Sequence, residues 1–225
     1  MAAQLMLPVL TLLETRVLGV LVEKQHTVPD TYPLTLNALV SGCNQKTSRD
    51  PVIEASEEEV QATVDRLKGL SLVMESSGGR VMRYAHNVGK VLGIPPQSVA
   101  LVAVLFLRGP QTAGELRINS DRLHKFGDIL SVEAFLNELA ERREGALVRE
   151  LPRQPGSRET RWTQLASGEP VIAMPTSAPS HEAAPGADRL SVSELAAMKA
   201  QIDHLQSEIA ALKETLARLC KELGS

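Results

Sequence analysis

Aromatic residues are scarce in this chain, with three Phe, two Tyr and one Trp among 225 residues. A core built chiefly on large rings is thereby excluded, and the interior must be assembled mainly from Leu, Val, Ile and Met. Cysteine is rarer still: Cys43 and Cys220 lie far apart, with no His or Cys partner at metal-ligand spacing. That argues against a zinc site or a disulfide framework and fits a reducing, cytoplasmic setting. Cys43 closes an apolar stretch and is expected to be structural rather than nucleophilic. The apolar run from Leu5 to Leu13 is interrupted by Pro8, followed by Glu14 and Arg16, and preceded by no basic residue. It suits neither a signal peptide nor a membrane span. An excess of positive charge is also missing, since 24 Lys and Arg stand against 27 Asp and Glu, for a formal net charge of −3.

What is present is a duplication. Ser56 to Glu75 (SEEEVQATVDRLKGLSLVME) aligns without gaps on Ser131 to Glu150 (SVEAFLNELAERREGALVRE), placing Leu72-Val73 on Leu147-Val148. In each copy a turn-forming cluster follows, Ser76 to Gly79 or Gln154 to Ser157, and then an Arg-aromatic pair, Arg83-Tyr84 or Arg161-Trp162. This predicts a β-hairpin after a helix. Ahead of each copy stand an apolar helix and a shorter one: Thr11 to Lys24 with Pro33 to Cys43, and Gln97 to Leu107 with Thr112 to Arg117. Helix, helix, helix, hairpin is the order of a winged helix-turn-helix.

The expected fold class is therefore mainly α with small β-hairpin wings (α+β), arranged as two tandem winged-helix domains over residues 8–90 and 91–168. Units of about 80 residues are near the lower limit for a self-sufficient core, which favours packing the two together. Ser56 with Glu59 forms a capping box that fixes the start of the first copy's third helix. Ser131 is the expected N-cap in the second copy, and Pro33 suits the first turn of the second helix. Residues 169–190 read as a disordered Pro/Ala/Ser-rich linker. Residues 191–224 read as a coiled-coil helix, with Leu195, Ile202, Ile209 and Leu216 at a and Met198, Leu205, Leu212 and Leu219 at d. Ile at a with Leu at d favours a parallel homodimer, and folding back onto the winged units is the alternative.

LTLLETRVLGVLVEK (Leu10 to Lys24), TVPDTYPLTLNALVSGCNQKTSRDPV (Thr27 to Val52), RGPQTAGELR (Arg108 to Arg117) and LPRQPGSRETRW (Leu151 to Trp162) resemble the YceH family of bacterial proteins of unknown function. The resemblance spans about residues 10 to 165. It implies tandem winged helices and brings no reaction, ligand or catalytic residue.

Winged helices most often bind DNA through the leading end of the third helix and through the wing. Here the first leading end is Glu57-Glu58-Glu59, which phosphate repels. The second offers Val132, Glu133 and Phe135, with Arg142 and Arg143 only further along. The second wing is better supplied, with Arg153, Arg158 and Arg161 as first candidates for phosphate contact. Arg80 and Arg83 of the first wing, and Lys46 and Arg49 of the preceding loop, are further candidates. Neither copy is basic overall: residues 8–90 hold nine cations against ten anions, and 91–169 hold ten of each.

A DNA-binding regulator is thus one expectation and a protein-interaction module the other. A contiguous basic stripe favours double-stranded DNA as partner, and an apolar groove between the two units favours a protein chain. His26, His86 and His124 are scattered along the sequence, and no glycine-rich phosphate loop is present, so neither an enzyme nor a cofactor is expected.

Overall fold

A computed structural model describes residues 8–77, 81–153, 157 and 159–169. The first helix, α1 (Leu12–Thr27), opens on Thr11, whose hydroxyl accepts from Glu14 N while Glu14 returns a bond to Thr11 N. A 3-10 turn over Pro29–Thr31 leads to the short strand β1 (Leu34–Thr35) and then to α2 (Leu36–Cys43), capped by Thr35. Pro33 therefore precedes a strand instead of starting a helix: Thr35 supplies the side-chain oxygen that Pro33 lacks, and the helix starts after it.

The third helix, α3 (Glu57–Gly69), begins at Ser56 with the full capping box. It feeds the hairpin β2 (Val73–Ser77) and β3 (Met82–His86), and β1 joins the far side of β3 to give the antiparallel order β1-β3-β2. A short helix, α4 (Val88–Leu92), ends at Gly93 in the left-handed region, φ 62°, which glycine adopts without strain.

The order then recurs: α5 (Pro96–Arg108), α6 (Ala113–Asn119), α7 (Ile129–Ala140) and the antiparallel hairpin β4 (Val148–Leu151) with β5 (Arg161–Gln164). The start of α7 departs from expectation. Asp128, not Ser131, is the N-cap, accepting from Ser131 N at 2.7 Å, so the helix enters two residues ahead of Ser131. Ser131 becomes the third residue of the helix, where its backbone N–H needs a partner.

The described part of the chain is thus α+β, helical with small antiparallel sheets. Core residues of both halves, from Leu10 and Val17 to Leu139 and Trp162, join one hydrophobic cluster. Its spine is α1 lying along α5. At Gly19 a Cβ would come within 2.8 Å of Leu107 Cγ, so the two helices approach more closely than any side chain at that position allows. The Arg-aromatic pairs place Tyr84 and Trp162 in this core. The predicted linker and heptad helix lie outside the described residues. No described helix is long and apolar enough to cross a membrane.

Candidate functional site

Where the two halves meet, the chain leaves a cleft of about 740 Å³. Its floor is the helix spine itself, with Leu18 from α1 and Val102 and Phe106 from α5, all buried. One wall is α4 with Val88, Val91 and Leu92. The opposite wall is Leu147, Leu165 and Ala166, held in place by Leu165 N donating to Leu147 O at 2.9 Å and Leu10 N to Ala166 O at 2.7 Å. Around the mouth stand Lys90, Arg142, Arg143 and Glu144. An apolar floor with a few polar groups at the rim is the usual form of a ligand site, and the volume lies within the usual range of about 300–1,000 Å³.

Arg142 and Arg143 fall beyond the end of α7, in the turn to β4, and so are not on the recognition helix as the sequence implied. Arg142 is mostly buried, with 15% of its side chain exposed. Its Nη2 donates to Leu92 O at 2.6 Å and lies 3.6 Å from Glu144 Oε2, while its buried Nε has no hydrogen-bond partner among the described residues. Arg143 is exposed.

The other cationic candidates among the described residues stand in different settings. Arg49 is a correction to the sequence reading: its side chain is fully buried, bonded to Glu23 Oε2 and Gln45 Oε1 at 2.5 Å each and to Gly42 O at 3.2 Å. A guanidinium so enclosed presents nothing to a phosphate. Arg83 donates to Thr31 O and Pro33 O at 3.1 and 2.7 Å, and so ties β3 to the start of β1. Arg161 donates to Pro110 O at 2.8 Å and pairs with Glu115 at 3.1 Å. Arg149, on the same hairpin, is paired with Glu169. Lys46 and Arg153 are exposed, and Arg80 and Arg158 lie outside the described residues. Arg49 and Arg161 do line one smaller polar pocket of about 320 Å³ with Arg108, where Asp50 and Glu115 offset their charge.

The leading ends of the third helices differ from each other. Glu57, Glu58 and Glu59 are exposed at the start of α3. At the start of α7, Ile129 is 44% exposed and Leu130 73%. Gly114, Arg117 and Ile118 share one face of α6. Ile129 Cδ1 lies 4.0 Å from where a Cβ on Gly114 would stand, and Ile118 on that face is 73% exposed. Arg117, Arg122 and Lys125 are exposed in the same segment beside the exposed Asp121 and Asp128, so cations outnumber anions by three to two around these aliphatic side chains. No signal in the gap-free alignment could reveal it, because the alignment set the helix start three residues too late.

Two features weigh on chemistry. Burial pushes the Cys43 thiol up to about 12, against the opposing charges of Arg16 and Arg49, so it is not a thiolate at neutral pH. The three histidines, scattered in sequence, act on one another electrostatically. Desolvation lowers His86 to about 4, aided by the charge of His26, and desolvation lowers His26, aided by His124. Among the described residues, no group of three or more His, Cys, Asp or Glu side chains is placed to hold a metal ion.

Residues 10–157 match a family described as "Protein of unknown function, DUF480". The chain is 58% identical over 215 residues to a UPF0502 protein of Burkholderia orbicola, covering 96% of this chain and 89% of that one. It is 56% identical over 215 residues to a UPF0502 protein of Dechloromonas aromatica, covering 96% of this chain and 98% of that one.

Proposed function

The chain belongs to the DUF480 family of UPF0502 proteins, the family that the sequence motifs resemble under the name YceH, and we propose that it is a non-enzymatic binding protein, built as two tandem winged helices, whose partner is another protein. The twice-repeated order of three helices and a hairpin supports the winged-helix assignment. The observation that carries the functional reading is the leading end of α7. There Ile129, Leu130 and the neighbouring Ile118 face solvent, where a DNA reader presents donors to base edges. Grouped aliphatic side chains left in water favour association, because a partner that covers them removes apolar surface from water. The surrounding Arg117, Arg122 and Lys125 select a partner segment that is apolar and flanked by Asp or Glu.

The first half supports the same reading, since three carboxylates at the tip of α3 repel a phosphate backbone. The apolar cleft is the further feature that favours a ligand other than nucleic acid. DNA is the second reading, supported by the exposed Arg143, Arg153 and Lys46. Self-association through the heptad residues Leu195 to Leu219 belongs to the proposal as well, doubling the surface offered to a dimeric partner.

The test is a photo-crosslinking residue in place of Leu130 in the full chain inside cells. The expected result is one identified cross-linked protein that bears an acidic, apolar segment and disappears when Ile118 and Ile129 are both changed to Asp. Cross-linking that recovers DNA, or adducts that survive the double substitution, contradicts the proposal.

A further inference from the structure

We propose that the cleft between α4, α5 and the α7–β4 turn binds a small amphipathic carboxylate, a fatty acid in its chemistry, with the hydrocarbon on the apolar floor and the carboxylate on Arg142. This site is separate from the α6–α7 surface and goes beyond the protein-binding reading.

Three observations converge. The cleft is large enough for a ligand, and its lining is predominantly apolar, with Leu18, Val91, Leu92, Val102, Phe106 and Leu147 along the floor and walls. Burying an apolar chain against these side chains removes its surface from water. At one end stands Arg142, a largely buried cation whose Nε has no acceptor among the described residues. A buried donor without an acceptor is costly, and a carboxylate is the group that a guanidinium takes best. Lys90 and Arg143 at the mouth add positive charge against the single Glu144, whose side chain is 70% exposed and 3.6 Å from Arg142 Nη2. The charges around the mouth therefore attract an anion.

The same features disfavour an extended peptide. Each residue of a peptide brings an N–H and a C=O that need partners when buried. The walls are apolar side chains, and the nearby carbonyls of Leu92, Leu147 and Ala166 already accept bonds from Arg142, Leu165 and Leu10. A hydrocarbon chain makes no such demand. The turn Arg142–Leu147 that carries the cation is mostly exposed, and a fatty acid can enter past it without opening the core.

The experiment titrates the full chain with cis-parinarate, a fluorescent fatty acid, kept below its micelle concentration, and then displaces it with oleate or with oleyl alcohol. The proposal expects saturable emission that oleate reverses. Ala146 is exposed at the mouth, so Ala146→Trp should block the cleft and abolish the signal while leaving the thermal unfolding midpoint unchanged. Arg142→Met should weaken oleate about ten-fold and leave oleyl alcohol unaffected, a difference that a general loosening of the fold cannot produce. No saturable emission with the unaltered chain, binding that survives Ala146→Trp, or equal loss of oleate and oleyl alcohol in Arg142→Met overturns the proposal. The Leu130 cross-link is read independently, so failure here leaves the protein-partner reading to stand or fall by its own test.

Discussion

The two halves repeat one order of elements, yet they place their charges in opposite ways. In the first half two arginines go inward. Arg16 is buried on α1, donating to Cys43 O at 3.1 Å and Pro51 O at 2.5 Å, and Arg49 is enclosed against Glu23, while the carboxylates of Glu57 to Glu59 are left outside. In the second half Arg143, Arg149 and Arg153 stay at the surface, and it is aliphatic side chains, Ile118, Ile129 and Leu130, that are exposed at the corresponding helix end. The difference shows that sharing a helix-turn-helix order does not mean sharing a recognition surface. In the first half arginine is consumed in fixing the loop after α2, and in the second it surrounds an apolar patch.

The comparison can be broken at Arg16. Arg16→Met should cost about 2–4 kcal/mol in denaturant unfolding, because the buried Cys43 carbonyl and the partly buried Pro51 carbonyl lose their donor. The surface counterpart Arg161→Ala, whose partners Pro110 O and Glu115 are wetter, should cost about 1 kcal/mol or less. Equal costs would refute the claim that the two halves use arginine differently.

A second test uses pH. His86 is held at about 4, below its ordinary 6.5, chiefly by desolvation. The unfolded chain therefore binds this proton first. The contribution to stability is complete above about pH 6.5 and is lost as pH falls toward 4, by about 1–3 kcal/mol. His86→Gln should flatten that part of the curve, and an unchanged slope between pH 6.5 and 4 would contradict the assignment. A smaller effect is expected from Ile129→Ser with Leu130→Ser, which should move stability by only about 0.5 kcal/mol, since both side chains are exposed. A loss of several kcal/mol would mean that the patch is already covered by the chain itself. Smallest is Cys43: in a Cys220→Ser background a maleimide should leave it unlabelled at pH 7 until denaturant is added.

The predicted coil invites a separate check, as Leu205→Lys with Leu212→Lys should convert a dimer to a monomer by sedimentation. A dimer that persists would place self-association elsewhere.

Much of the local structure was legible because its causes are local. The Ser56 and Glu59 capping box lies within four residues, and the hairpins are announced by turn residues between β-forming runs. The start of α7 was misplaced because repeat alignment put Ser131 on Ser56, while the capping oxygen belongs to Asp128. The fate of the arginines was not legible at all. Arg83, Arg142 and Arg161 donate to carbonyls 50, 50 and 51 positions away, and no spacing in the sequence marks such acceptors. The cleft is equally hidden, being assembled from α1, α4, α5, the α7–β4 turn and the end of β5. Of the described cationic residues singled out in the sequence, Arg142 and Arg143 alone line it.

The most direct measurement is fluorescence anisotropy of a mixed-sequence DNA duplex titrated with the full chain at low salt and again near physiological salt. The account predicts no saturable binding at either. Saturable binding that weakens steeply as salt rises, and that disappears when Arg153, Arg158 and Arg161 are all changed to Ala in a chain that still folds, would contradict it.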